Sequence, residues 1–88
     1  LTIKLHEEKM PITNEEKDYL KLLGQNIVRI RKKKNLKEGL SDLLDIDDGS
    51  LRRIESGRTN PTTVTLLRIA KALEVEIKDL FDIKIHPK

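Results

Sequence analysis

The sequence predicts an all-α fold of four helices and a closing helical turn. Three observations carry this expectation. Apolar residues recur at three- and four-residue spacing in successive segments, capping residues stand at the head of those segments, and Gly57 and the Asn60-Pro61 pair separate them. At 88 residues there is room for one domain and one modest hydrophobic core. The organisation read from these signals is an N-terminal extension over residues 1–12, a helical domain over 13–81 and a tail over 82–88.

The first helix is expected from about Asn14 to Lys34. Thr13 can accept a hydrogen bond from the exposed amides of the first turn, and Glu16, three residues on, can reach back to it. Leu20, Leu23, Ile27 and Ile30 then form one apolar stripe, and Arg31 to Lys34 complement the negative end of the helix dipole. Leu36, Leu40, Leu43 and Leu44 continue at helical spacing and mark a second helix, too short to stand without tertiary packing. Gly39 inside it costs on the order of 1 kcal/mol relative to Ala, which favours a late or irregular start.

Asp47 can cap a third helix running to about Ser56, with Leu51 and Ile54 inward and Gly57 as a left-handed stop. Asn60-Pro61 breaks the chain and Thr62 offers another cap. Leu66, Leu67, Ile69, Ala70 and Leu73 mark the fourth helix, and a last helical turn carries Ile77, Leu80 and Phe81. The ends have a different period. Leu1, Ile3 and Leu5, and Phe81, Ile83 and Ile85, alternate with polar residues, so short terminal strands stand beside frayed tails as the two readings.

Composition excludes several function classes. There is no Cys, so a disulfide framework or a thiolate metal site is not available. No apolar run approaches the roughly 20 residues that cross a bilayer, and the first ten residues carry charges where a signal peptide needs an apolar centre. A soluble, cytoplasmic protein without membrane association is the expectation, and the start at Leu1 rather than Met reads as a trimmed N-terminus. His6 and His86 read as solvent residues. No nucleophile and base pairing, phosphate loop or metal cluster is visible, so neither an enzyme nor a cofactor or metal is expected.

Charge is uneven along the chain. The formal net charge is +3, yet residues 21–39 carry +6 and residues 40–50 carry −4 through Asp42, Asp45, Asp47 and Asp48. Clustered cations suit a polyanion, although Lys32 to Lys34 are also readable as a solvated helix end.

From Leu23 to Phe81, about two thirds of its length, the chain resembles the lambda-repressor-like (Xre- and Cro-type) helix-turn-helix regulators of bacteria and phages. The landmarks are Leu23-Gly24 with Ile27, Ile30 and Arg31, then Leu40 and Leu44, then Leu51 with Arg53-Ile54-Glu55-Ser56-Gly57-Arg58. Asn60-Pro61-Thr62, the run Leu66 to Leu73, and Asp79-Leu80-Phe81 complete them. The resemblance implies a five-helix DNA-binding domain in which Arg31 pairs with Glu55 to tie the first helix to the third, a structural role. It also implies a nucleoid-associated transcriptional regulator that binds double-stranded DNA as a homodimer, with half-sites about 34 Å apart. The apolar stretch 75–85, with Val75, Leu80, Phe81, Ile83 and Ile85, is the expected dimer surface.

The same resemblance assigns the interface. The third helix, about residues 47–56, enters the major groove. Asp48, Gly49, Ser50 and Arg53 fall on base-reading positions and Arg52 lies on the phosphate flank. Arg53 is the leading reader, because a guanidinium can bond guanine twice, a pair worth about 1 to 3 kcal/mol of discrimination. Arg58, Thr59 and Asn60 in the following loop, and Lys37 at the start of the second helix, are expected on phosphates. Arg52 and Arg53 are also readable as solvated cations, and Asn60-Pro61 as a plain turn.

There are departures from the family pattern. Leu36-Lys37-Glu38-Gly39-Leu40 is one residue short and lacks the usual Gln, Asp45 and Glu74 stand where a left-handed Gly is preferred, and Asp48 brings negative charge toward phosphates. The acid-rich 42–48 stretch motivates an alternative: an antitoxin or adaptor of the same fold whose main partner is a protein such as a toxin.

Overall fold

The computed structural model describes residues 11–34 and 39–83, and these form five helices: α1 (Asn14–Lys33), α2 (Leu40–Leu44), α3 (Asp48–Glu55), α4 (Thr63–Leu73) and α5 (Ile77–Leu80). Among the described residues there is no strand. Residues 1–10 and 84–88, which include the whole N-terminal strand expectation and half of the C-terminal one, lie outside them, as do Leu36 and Lys37, while Phe81, Asp82 and Ile83 are described and form no strand.

Local hydrogen bonds start the helices where the capping residues stand. The Thr13 hydroxyl accepts from the Glu16 amide at 3.1 Å while the Glu16 carboxylate accepts from the Thr13 amide at 2.8 Å, a reciprocal box that satisfies two orphan donors. Asp47 caps α3 by accepting from the Ser50 amide, and Thr62 caps α4 by accepting from the Thr65 amide, both at 3.1 Å.

Three helices stop in the same way. After α3, the Gly57 amide bonds Ile54 O and the Arg58 amide bonds Arg53 O, the paired reverse bonds of a Schellman motif, with Gly57 at φ 77°. Asp45 closes α2 at φ 57° and Glu74 closes α4 at φ 58° with equivalent bond pairs, to Asp42 O and Ser41 O and to Lys71 O and Ala70 O. Neither is Gly. Each carries the steric cost of a left-handed side chain, greater for Glu because Asp tolerates that region better.

The core is drawn from all five helices, with Ile27, Leu40, Ile69, Leu73 and Leu80 fully enclosed. α1 packs on α3 and α5, and α4 on α2 and α5. Gly24 sets the closest approach, since a Cβ there would lie 2.3 Å from Glu55 O and 2.6 Å from Ile54 O. Gly57 is constrained twice, by its positive φ and by a Lys21 Cα that would stand 2.6 Å from an added Cβ. Asn26, buried beside the apolar stripe of α1, donates to Leu80 O at 2.7 Å and Asp79 O at 3.1 Å. It thereby adds a partner to two carbonyls at the C-terminal end of α5, of which Asp79 O also accepts from the Asp82 amide at 3.3 Å.

Several expectations need correction. α2 has the late start that Gly39 favours, at Leu40, but Gly39 is its left-handed N-cap at φ 92° rather than a residue inside the helix. Leu43 and Leu67, grouped with the apolar faces by spacing, are 62% and 50% exposed, since each lies beside a core position on a helix narrow enough to bury only one stripe. Leu20 is half-buried rather than enclosed. Leu80 cannot serve the expected dimer surface because it is fully buried within its own chain, and Val75 and Ile83 pack partly on the same core. Of that stretch Phe81 is exposed, while Ile85 lies outside the described residues.

Candidate nucleic-acid interface

α3 stands on one edge of the molecule, joined to α2 by the tight turn at Asp45, Ile46 and Asp47. Leu51 and Ile54 anchor it in the core, and Arg52 and Arg53 are exposed between them. Its orientation is locked on the inner side by Arg31, whose guanidinium grips the Glu55 carboxylate at 2.8 and 3.2 Å. Both side chains of that pair are largely enclosed, at 15% and 13% exposure, and their charges are spent on each other. The expected structural tie between first and third helices is present.

The tip of α3 is a chain of polar contacts. The Asp47 carboxylate accepts from the Ser50 amide and, at 2.6 Å, from the Ser50 hydroxyl; the Ser50 oxygen in turn accepts from Arg53 Nη2 at 3.1 Å. The hydroxyl hydrogen bond from Ser50, then the amide bond from the same residue, hold the Asp47 carboxyl below its ordinary value, with a smaller contribution from the positive charge of Arg53. Gly49 presents no side chain, and a Cβ there would lie 3.0 Å from Asp47 Oδ2 and 3.7 Å from Arg53 Nη1.

Asp48, expected at a base-reading position, is exposed at the head of α3 and has a partner within the chain. Its carboxylate accepts a short hydrogen bond from the hydroxyl of Ser41 on α2, a buried residue that sequence reasoning passed over. The acid at the tip is thus engaged by its own molecule, and it also complements the positive N-terminal end of α3.

Two shallow grooves flank α3. One is lined by Ser50, Arg53, Thr59, Asn60, Thr62 and Thr65, and so joins four sequence-assigned residues to two threonines read only as cap and helix. Their signal was present as a hydroxyl-rich run, but the cap explained it locally. The other is lined by Arg31, Ser41, Asp48 and Arg52 among others. Arg58 is exposed on the loop after α3 and donates from Nε to Ser56 Oγ at 2.9 Å. Lys37 falls outside the described residues and is not placed. Among the described residues no group of three or more His, Cys, Asp or Glu could hold a metal ion, and no helix is long and apolar enough to cross a membrane.

A five-helix domain that presents a short, arginine-bearing α3 behind a tight α2–α3 turn defines the helix-turn-helix class. Comparison with known proteins agrees. The helix-turn-helix family profile matches residues 27–80. The HTH-type transcriptional regulator y4dJ of Sinorhizobium fredii is 38% identical over 64 residues, which cover 72% of this chain and 83% of that protein. The crystal structure of the restriction-modification controller protein C.AhdI from Aeromonas hydrophila is similar at a TM-score of 0.67 and 34% identity, covering 73% of this chain and 97% of that one. The chain belongs to the lambda-repressor-like helix-turn-helix family of DNA-binding transcriptional regulators, which is not an enzyme class.

Proposed function

We propose that this protein is a sequence-specific transcriptional regulator that binds duplex DNA as a homodimer, each protomer laying α3 in the major groove of one half-site. One observation carries the reading: the outer face of α3 is left uncovered by the other described residues, with Arg52 and Arg53 exposed upon it. Arg53 reads a base, with guanine as its match, because its fork can bond O6 and N7 together. Arg52 serves the phosphate flank. Arg58, Thr59 and Asn60 contact backbone beside the reading helix, and Lys37, which precedes α2 in the sequence, joins them. Ser50 and Gly49 belong to the base-facing tip, where Gly49 allows close approach. Asp48 stands at the same tip and, tied to Ser41, steadies α2 against α3.

A C2 dimer would place two such helices about 34 Å apart, matching one turn of DNA. Phe81, 40% exposed, is the most exposed apolar residue of the C-terminal stretch among the described residues and would serve it. The setting would be the cytoplasm, on the nucleoid.

A binding selection from random duplexes, followed by salt titration of the selected sequence, tests the proposal. A defined half-site repeated with two-fold symmetry is expected, and log affinity should fall with log salt with a slope of about 0.9 per neutralised phosphate. Arg53→Ala should relax the sequence at one base pair, whereas Arg58→Ala should weaken binding to all sequences and reduce the salt slope by about one. Equal behaviour of the two variants would refute these roles, and a single-protomer mass in sedimentation at tens of micromolar would remove the dimer. A second reading draws on exposed Leu43, Val64 and Leu67, which suit a protein partner better than a polyanion. An adaptor or antitoxin of this fold would show no selected duplex and nanomolar affinity for a protein alone.

A further inference from the structure

The hydroxyl of Ser50 has a single proton, and the structure shows where it goes. It is donated to Asp47 Oδ1 at 2.6 Å, while the same oxygen accepts from Arg53 Nη2 at 3.1 Å. Its one donor is spent within the protein, which leaves it poorly suited to read an acceptor on a base edge. Arg53 gains from the arrangement. An exposed arginine samples many rotamers, and a hydrogen bond to a hydroxyl polarised by a carboxylate narrows them.

We propose that Ser50, anchored by Asp47, is a positioning residue that sets the guanidinium of Arg53 for base reading and thereby governs specificity at the base pair that Arg53 contacts. The bare backbone at Gly49 lets Asp47, Ser50 and Arg53 share one side of the helix tip. The inference rests on Arg53 being a base reader. It differs from a reading in which Ser50 addresses a base of its own, because the two assign the consequence of losing the hydroxyl to different base pairs.

The local fold does not depend on the hydroxyl. The Ser50 amide donates to Asp47 Oδ2 at 3.1 Å and remains in any variant, so Ser50→Ala keeps the cap of α3. Freeing a rotamer-rich side chain before it is immobilised on DNA is expected to weaken specific binding about 3- to 10-fold. Ser50→Thr, which restores a hydroxyl, should recover most of that loss.

The experiment is a binding selection from randomised duplexes on the full chain and on Ser50→Ala, Arg53→Ala, the double variant and Ser50→Thr, with affinities for the best site and thermal midpoints measured alongside. The expected result is that Ser50→Ala relaxes the same base pair as Arg53→Ala, adds little further loss to the Arg53→Ala variant, is restored by Ser50→Thr, and leaves the protein folded at the temperature of the binding assay. Relaxation of a different base pair, or losses that multiply in the double variant, would overturn the positioning role while sparing Arg53 as a reader. No relaxation at any base pair on Arg53→Ala would overturn both.

Discussion

Gly24→Ala sets helix propensity against tertiary packing, with opposite signs. Gly24 lies inside α1, where Ala is favoured over Gly by about 1 kcal/mol, so local reasoning expects stabilisation. The packing with α3 expects the reverse. A Cβ on residue 24 would stand 2.3 Å from Glu55 O, 2.6 Å from Ile54 O and 2.7 Å from Glu55 C, against an ordinary contact of 3.4 Å or more. All three atoms are backbone, so no side chain can swing aside. α3 must retreat by roughly 1 Å, an overpacking that costs about 1 to 3 kcal/mol and occasionally more. The same retreat pulls on the Arg31–Glu55 pair, held at 2.8 Å. The net expectation is a loss of about 1 kcal/mol, which for a domain of this size lowers the thermal midpoint by about 4 to 8 °C. Circular dichroism melts report it directly, and Gln25→Ala, one residue along on the exposed face of α1, should change stability by less than about 0.5 kcal/mol. A Gly24→Ala midpoint equal to or above that of the parent would refute the close approach as described. Because α3 carries the proposed interface, the variant should also bind DNA less tightly at temperatures where it remains folded.

Other perturbations follow the same logic. Glu74→Gly should stabilise by about 0.5 to 1 kcal/mol in urea unfolding, and Asp45→Gly by less, since relief of the left-handed strain exceeds the added chain entropy; destabilisation by both would show those turns to be unstrained. Arg31→Ala leaves the Glu55 carboxylate enclosed without its main partner and should cost about 2 to 3 kcal/mol, somewhat below the range for full burial, with Arg31→Lys recovering only part because it cannot grip both oxygens. Asp47 has a pKa lowered in the folded state, so its contribution is present above the ordinary carboxylate value and disappears as pH falls through the lower folded value. Urea midpoints taken from about pH 6 to about pH 3 should therefore fall more for the parent than for Asp47→Asn, and parallel curves would exclude the effect.

The residues that start and stop the helices were legible from neighbours alone. Thr13, Asp47 and Thr62 each complete a hydrogen bond three residues away, and Gly57 closes α3 through bonds no more than five residues long. Such contacts form within a single turn, so a short window of chain contains both partners. The family landmarks then supplied the order of helices and the Arg31–Glu55 tie, which joins residues 24 apart.

Orientation was a different matter. Leu43 and Leu44 are the same residue at adjacent positions of α2, yet only the second is buried, because a five-residue helix is placed by the surface it lands on. Spacing likewise could not tell Leu66 from Leu67, nor show that Asn26 would be buried to bond carbonyls 53 and 54 residues away. Nor could it show that the acid at the head of α3 would accept a hydrogen bond from Ser41, seven residues earlier. Caps and stops are decided by the backbone's own demand for partners within one turn. The facing of short helices, and so the identity of the exposed arginines and the engaged acid, is decided by burial of area against elements remote in sequence, a contest that exists only once the chain has folded.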